Sequence, residues 1–229
     1  MHSPLHLGVV ALLLATQVLL GQDTVSPPPA GPEPHPAPES VNPAPPLGPG
    51  EKGWDFSLAI TYLLSDSREI VLPTFTADRG WLHLETRYNY EAPDTASAWI
   101  GYNFHLGEKL SLGFTPMLGA VFGETYGIAP GYRASLSWWK IEFYTEGEFV
   151  LVPANTTESF FYSWKELSLA PVEWARLGLV AQRTKLYQTK WDIQRGFLAG
   201  VSFWKLDLTA YLFNPDEDTL WMFAARAEF

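Results

Sequence analysis

The chain has 229 residues, with 15 Lys and Arg against 25 Asp and Glu, which gives a formal net charge of −10 at pH 7. A phosphate-binding surface needs a basic excess, so this balance argues against nucleic acid as a partner. The chain contains no Cys, which is compatible with export through an oxidising compartment without disulfide bonds.

Two segments are predicted to precede the folded domain. Residues 7–20 are almost entirely apolar, too short for a comfortable transmembrane helix and typical of the core of a signal peptide. We therefore predict a signal peptide over 1–21. Residues 22–50 are rich in Pro with Ala, Gly, Glu and Ser, a composition that favours extended chain and buries no core. They are predicted to form a disordered periplasmic linker, and 51–229 a single domain.

Apolar and aromatic residues recur at every second position in 51–229, which is the periodicity of β-strands. The first such segment places on one face Trp54, Phe56, Leu58, Ile60 and Tyr62. A soluble sandwich would turn its aromatic residues inward, whereas a membrane barrel turns them toward lipid and its polar residues toward the lumen. The pattern predicts an all-β antiparallel transmembrane barrel with strands at 54–64, 69–76, 80–90, 96–106, 110–122, 127–139, 140–152, 159–170, 173–184, 194–204, 205–213 and 219–229.

The strand count is twelve, with ten as the alternative. Pro73 interrupts the segment 69–76, and Pro is poorly tolerated in a paired strand. Bacterial single-chain barrels have even strand numbers, so loss of this segment would reduce the count to ten. With the carboxyl end in the periplasm, the external loops are predicted at 65–68, 91–95, 123–126, 153–158, 185–193 and 214–218. The periplasmic turns are mostly shorter, as such barrels require.

Tryptophan residues are predicted to form two interfacial bands, because an indole ring is half apolar and keeps its N–H in water. The band at the periplasmic strand ends contains Trp54, Trp81, Trp138, Trp139, Trp174 and Trp204. The band at the outer ends contains Trp99, Trp191 and Trp221. Trp164 fits neither band.

The last strand ends on the final residue, with Trp221, Phe223 and Phe229 on one face and Arg226 with Glu228 on the other. In this respect 51–229 resemble bacterial outer-membrane β-barrel proteins. The segments Arg87-Tyr88-Asn89-Tyr90-Glu91, Thr115-Pro116-Met117-Leu118-Gly119 and Asp192-Ile193-Gln194-Arg195-Gly196 look like an uncharacterised exported-barrel family with no activity to carry over. The resemblance implies an outer-membrane location in lipid. It also implies insertion by the barrel-assembly machinery, which recognises a last strand like 221–229.

The faces opposite the apolar ones are predicted to line the lumen with charges of both signs. The residues singled out there are His83, Glu85, Arg87, His105, Arg133, Glu142, Glu146, Glu148, Lys165, Arg176, Asp207 and Arg226. Unpaired charges are costly inside a barrel, so one hypothesis is a salt-bridge network that braces the wall. The other is an eyelet that selects small polar or cationic solutes by its field.

The two His residues of the barrel are predicted to face each other. In one hairpin register the residue numbers of each facing pair add up to an index sum of 188. This register places His83 opposite His105 and Glu85 opposite Asn103. Such a pair resembles part of a metal site or a proton-linked switch, but no third ligand is evident. A hydrogen-bonded lumen pair is the simpler interpretation.

The leading functional hypothesis is a narrow, porin-like channel for small polar solutes, or a structural barrel with a salt-bridged lumen. A lipid-modifying enzyme of the outer membrane is an alternative, but no Ser is spaced with a His in a recognisable way. No Gly-x-Ser-x-Gly motif, phosphate-binding loop or zinc spacing appears, so no catalytic residue, cofactor or metal is predicted. The remaining alternative is a secreted soluble β-barrel that binds a ligand.

Overall fold

The computed structural model describes residues 53–65, 68–186, 192–216 and 219–229. The predicted signal peptide and Pro-rich linker lie outside the described residues. So do Trp191 and parts of the predicted external loops at 65–68, 185–193 and 214–218.

The described strands form one closed antiparallel sheet. They are β1 (Asp55–Ser65), β2 (Arg68–Arg79), β3 (Leu82–Tyr88), β4 (Thr95–Tyr102), β5 (Phe104–Leu106), β6 (Leu110–Gly123), β7 (Gly127–Trp138), β8 (Ile141–Val150), β9 (Phe160–Val172), β10 (Ala175–Leu186), β11 (Asp192–Phe203), β12 (Leu206–Phe213) and β13 (Leu220–Glu228). β4 and β5 are separated by Asn103 alone and both pair with β6, so they are one strand of the wall. The predicted twelve-strand barrel is therefore confirmed, and the ten-strand alternative is wrong.

The first and last strands close the barrel through backbone hydrogen bonds. β1 pairs with β13 from Ser57↔Glu228 to Leu64↔Trp221. Beyond the ladder, Phe56 and Phe229 exchange two backbone bonds of 3.2 and 3.0 Å, and their rings stack at 6.1 Å. The outward aromatic side chains at this end of the chain, Trp221, Phe223 and Phe229, are between 43% and 59% exposed.

Pro73 is accommodated because its missing N–H falls outside the ladder with β1. The carbonyl of Val71 accepts a hydrogen bond from Asn89 on the β3 side of β2. Residues two apart in a strand point their backbone groups to the same neighbour, so position 73 also faces β3. Pairing between β2 and β3 begins only at Thr74↔Arg87. The segment can therefore be a full strand that pairs with β1 over its whole length.

Large apolar side chains cover the outer face of the barrel. Ile60 is 45% exposed, Leu118 53% and Phe197 55%, and the same alternation continues around the wall. An apolar belt of this extent is stable only against hydrocarbon, which is the arrangement of a membrane barrel. No helix in the described part of the chain is long and apolar enough to cross a membrane.

One end of the barrel carries tight turns with exposed Trp residues. β7 and β8 are joined by Trp139 and Lys140, and β11 and β12 by Trp204 and Lys205. The first residue of each turn has a positive φ, 55° for Trp139 and 57° for Trp204, which suits the right-handed twist of a two-residue hairpin. Their rings are 79% and 90% exposed. This is the end predicted to face the periplasm, and the predicted Trp residues lie there.

The hydrophobic core lies inside the barrel rather than between layers. Trp164, Tyr211, Phe213 and Met222 are completely buried in the lumen. Trp99 is 3% exposed and also points inward, so its predicted place in the outer Trp band is wrong. The placement of Trp164 outside both bands is explained by the same interior packing.

Gly119 on β6 provides the space in which Trp99 lies. A Cβ at position 119 would lie 2.6 to 2.7 Å from three ring atoms of Trp99. We expect Gly119→Ala to lower the free energy of unfolding by about 1 to 3 kcal/mol, because a buried ring must shift. Urea unfolding in lipid vesicles measures the change.

Gly113→Ala on the same strand is the matched control for Gly119→Ala. Its new Cβ would meet the Ser135 hydroxyl at 2.6 Å, and a hydroxyl can rotate away. Equal destabilisation by the two substitutions would contradict the packing role of Gly119.

Candidate functional site

Six charged side chains from four parts of the wall meet in the lumen, and we call them the first charged cluster. They are Glu85, Arg87, Glu91, Arg133, Glu146 and Glu148. β3 positions the first two, because its inward positions 83, 85 and 87 are all buried. β7 and β8 supply the residues across the lumen, where Arg133 pairs with Glu146 and Gly131 with Glu148 in the ladder.

Glu85 lies at the centre of the first charged cluster. It accepts a hydrogen bond from Nε of Arg87 through Oε1, and its Oε2 lies 2.7 Å from Nη2 of Arg133. Arg87 continues the cluster with a 2.8 Å bond from Nη1 to Oε2 of Glu148. Arg133 Nε lies 3.4 Å from Oε2 of Glu146. Each buried guanidinium therefore faces two or more carboxylates, which offsets the cost of removing these charges from water.

Aromatic side chains pack around the first charged cluster. The guanidinium of Arg87 lies 4.1 Å from the ring centroid of Tyr90 and 4.5 Å from that of Trp99, which is cation–π geometry. Tyr90 and Tyr144 each donate a hydrogen bond to Glu146, one to each of its oxygens. Rings and ion pairs together fill the middle of the lumen.

The segment between β3 and β4 folds into the barrel mouth. Asn89 and Asp94 have φ values of 59° and 53° and close the segment with a 2.8 Å bond from the Asn89 N–H to the Thr95 carbonyl. Tyr90 and Glu91, between them, are 4% and 1% exposed. This external loop therefore adds a phenol and a carboxylate to the lumen.

Glu91 is held by neighbouring polar groups. Ser97 donates a 2.6 Å hydrogen bond to its Oε1, and Trp99 donates a 2.9 Å bond to the Ser97 hydroxyl. Arg87 Nη1 lies 3.7 Å from the same carboxylate. Burial raises the pKa of Glu91 above its usual value, and the nearby Arg87 opposes this effect.

A second charged cluster lies nearer the periplasmic end and consists of Glu142, Glu166, Arg176 and Asp207. Glu166 accepts bonds from Arg176 Nη1 at 3.0 Å and from two buried rings, Trp164 Nε1 at 2.8 Å and Tyr211 Oη at 3.0 Å. Arg176 also donates to the Thr209 hydroxyl at 2.9 Å. Glu166 is therefore the carboxylate that pairs directly with Arg176, and Glu142 adds its charge nearby.

His83 has both ring nitrogens occupied by carboxylates. Nδ1 lies 2.8 Å from Asp78 and Nε2 lies 3.0 Å from Glu85. A ring that donates from both nitrogens has no lone pair for a metal or for a serine proton. Asn103 donates to Asp78 at 2.7 Å, so the hydrogen-bonded chain continues to the break between β4 and β5.

The predicted register of the two His residues is wrong. His83 pairs with Gly101, which corresponds to an index sum of 184 instead of 188. His105 lies on β5 opposite Gly113 and is exposed near the periplasmic mouth. The reason is the Asn89–Thr95 closure, which centres the hairpin two residues earlier than predicted. A shift of four in the sum keeps every side chain on its face, so His83 still points inward.

Eleven of the twelve predicted lumen residues lie on inward positions of their strands, and Lys165 does not. It is exposed on the outer face of β9, whereas Trp164 and Glu166 on either side are buried. The alternation Phe160, Tyr162, Trp164 suggests an aromatic outer face, but these rings pack inside the lumen. The signal that would have identified Glu166 is the outward pair Leu167 and Leu169.

A group of apolar side chains packs in the lumen near the outer strand ends, and we call it the outer apolar layer. It consists of Leu63, Leu72, Val121, Val150, Phe160, Phe213 and Met222, all 7% exposed or less. Each residue lies within a few positions of the outer end of its strand. Polar side chains share this level of the lumen, because Gln182 and Thr184 are buried near the outer end of β10 and Glu91 lies in the loop that follows β3.

A closed antiparallel barrel with an apolar exterior and a charged interior defines the class of transmembrane β-barrels of the outer-membrane type. Among solved structures, the KdgM porin is similar with a TM-score of 0.53 and 9% identity, over 76% of this chain and 99% of that one. The KdgM porin in complex with disordered oligogalacturonate is similar with a TM-score of 0.53 and 10% identity, over 76% of this chain and 99% of that one. CdiB from Acinetobacter baumannii has a TM-score of 0.45 and 8% identity, over 78% of this chain and 60% of that one.

The similarity to the KdgM porin concerns the fold alone, since the identities are 10% or lower. No family model matches the chain, and no curated protein matches it. Among the described residues, no group of three or more His, Asp or Glu side chains has the geometry to hold a metal ion.

Proposed function

We propose that this chain is an outer-membrane barrel that conducts small polar solutes through a narrow, charged lumen. The observation that carries the proposal is the pair of charged clusters inside a wall whose outer face is apolar. Charges are costly in a protein interior, and the lumen of a barrel with a purely structural role can be filled with apolar side chains. Charged groups along a lumen are the means by which pores favour polar solutes. The similarity to the fold of the KdgM porin supports the same function.

The outer apolar layer acts in this proposal as the closed gate of the channel. Hydrophobic constrictions block water and ions until their side chains move apart. The second charged cluster lies nearer the periplasmic mouth than this layer, so a solute that crosses the layer meets charged groups.

Planar-bilayer recording of the purified barrel tests the channel proposal. We expect single-channel steps whose size changes in Glu142→Gln, because Glu142 lies near the periplasmic mouth with Arg176, Glu166 and Asp207 close by. Glu173→Gln is the matched control, since Glu173 is exposed in the turn between β9 and β10. Folded barrel that gives no steps at any voltage would contradict the proposal.

A structural barrel is the second candidate, and the depth of burial in the lumen favours it. Trp164, Tyr211 and Phe213 are completely buried, so the lumen is packed like a protein core. This candidate predicts the silent outcome of the bilayer experiment, together with release of vesicle contents no faster than in protein-free vesicles.

A further inference from the structure

The two charged clusters of the lumen contain more carboxylates than guanidinium groups. The first charged cluster has four carboxylates and two guanidinium groups, and the second has three carboxylates and one guanidinium group. Fully ionised, each cluster therefore carries a formal charge of −2. The other buried or half-buried inward charges among the described residues are paired, because Nδ1 of His83 lies 2.8 Å from Asp78 and Arg226 lies 3.6 Å from Glu228. The excess negative charge of the interior is thus concentrated in the two clusters.

An anion that entered either cluster would find each guanidinium group already in contact with a carboxylate. The contacts, at 2.7 to 3.0 Å, are those of Arg87 with Glu148, Arg133 with Glu85 and Arg176 with Glu166. A guanidinium group that faces a carboxylate has little net attraction left for a further anion, since the two opposite charges largely cancel. The excess carboxylates, by contrast, need a proton or a mobile cation to offset the cost of their burial. The clusters therefore attract cations and repel anions.

Two carboxylates converge on one nitrogen of the first charged cluster. Arg87 Nη1 lies 2.8 Å from Oε2 of Glu148 and 3.7 Å from Oε1 of Glu91. Glu91 is 1% exposed, and its Oε2 has no hydrogen-bond partner among the described residues. A buried carboxylate oxygen without a donor is costly unless a proton or a cation binds to it. A cation in the lumen would thus be stabilised beside Glu91 and Glu148.

A phenol oxygen lies in the same part of the lumen. Tyr162 is 2% exposed and lines one space with Arg87, Glu146 and Glu148. Its hydroxyl has no hydrogen-bond partner in the part of the chain that the structure describes. A hydroxyl oxygen carries two lone pairs that can face a small cation. Oxygens from the inward loop, from β8 and from β9 are therefore grouped around the position of Arg87.

We infer that the lumen selects small cations over anions, and that Glu91 and Glu148 contribute most to this selection. The inference rests on the proposed function, because selection by charge requires that solutes pass through the barrel. Clefts lined by charges of one sign concentrate ions of the opposite sign, and rings of Asp and Glu select cations in channels. The selected cations are small, because completely buried rings such as Trp164 and Tyr211 leave little room in the lumen.

Reversal potentials in planar bilayers under a steep gradient of potassium chloride test the inference. At mildly alkaline pH, which favours ionised carboxylates, we expect potassium to permeate the wild-type barrel about tenfold more easily than chloride, the lower end of the enrichment in a charged cleft. Glu91→Gln/Glu148→Gln should lower this permeability ratio severalfold. The two amides can still accept the hydrogen bonds from Ser97 and Arg87, so the variant keeps the contacts of the folded barrel.

A second variant and a matched control accompany this measurement. Glu142→Gln/Asp207→Asn removes two carboxylates from the second charged cluster and should also lower the permeability ratio. Glu108→Gln/Glu124→Gln is the control, since it removes the same charge from exposed positions between strands. It should keep the wild-type ratio.

The possible outcomes separate this inference from the proposed function. Open channels that prefer chloride, or neither ion, would overturn the inference and leave the proposed function standing. A ratio that is the same in the wild type and in both lumen variants would do likewise, as would an equal loss in the control. Folded barrel that gives no single-channel steps would overturn the proposed function and the inference with it.

Discussion

Arg87→Met should lower the free energy of unfolding of the barrel by about 3 to 5 kcal/mol, the usual cost of removing one partner from a buried ion pair. Arg87 is 5% exposed and bonds to Glu85 and Glu148. Without its guanidinium, these carboxylates and Glu91 keep only Arg133 as a counter-charge in the first charged cluster. The loss also removes the cation–π contacts with Tyr90 and Trp99. Urea titration in lipid vesicles, followed by Trp fluorescence, measures it.

Arg195→Met is the matched control for Arg87→Met, because it makes the same substitution on an exposed ion pair. It should leave the urea midpoint nearly unchanged. Adding Glu148→Gln to Arg87→Met should recover part of the lost stability, since it removes one uncompensated carboxylate. If Arg87→Met unfolds at the wild-type urea concentration, the first charged cluster does not stabilise the barrel.

The twelve strands follow from the sequence because a membrane barrel repeats one strong signal. Each strand must present apolar side chains to lipid at every second position, and a break in that pattern marks a turn. Even the Pro73 strand fits once the direction of its backbone groups is known. Short turns at one end of the barrel left little freedom in the strand boundaries there.

The sequence predicts the residues inside the lumen less accurately than the strands, because aromatic residues occur on both faces of the wall. Phe160, Tyr162 and Trp164 have the spacing of a lipid-facing row, yet they fill the interior. The assumption that rings face lipid therefore assigned Lys165 to the lumen and left Glu166 out. Only the packed structure distinguishes an interior aromatic row from an exterior one.

The inward loop is the other feature that periodicity does not predict. A loop has no repeat, and its path depends on two left-handed residues, Asn89 and Asp94, and on partners distant in sequence. Tyr90 donates to Glu146, which lies 56 positions later. The same closure sets the register that separates His83 from His105.

Phe213→Ala should both destabilise the barrel and increase its conductance. The Phe213 ring is completely buried at the outer end of β12, with its centroid 5.5 Å from that of Trp164 and 6.2 Å from that of Tyr211. Truncation should cost about 3 to 5 kcal/mol, because the removed ring leaves a cavity that its neighbours fill only in part. The same cavity lies in the outer apolar layer, so water and ions gain a path past the proposed gate. Planar-bilayer recording and urea titration measure the two effects.

Phe223→Ala on the neighbouring β13 separates the gate from the general loss of an aromatic ring. Phe223 faces outward and is 44% exposed, so its removal changes contact with lipid and leaves the lumen filled. We expect wild-type conductance from Phe223→Ala and larger or more frequent steps from Phe213→Ala. If folded Phe213→Ala conducts no more than Phe223→Ala, the outer apolar layer is not the barrier. The barrier would then have to lie among the ion-paired side chains of the lumen.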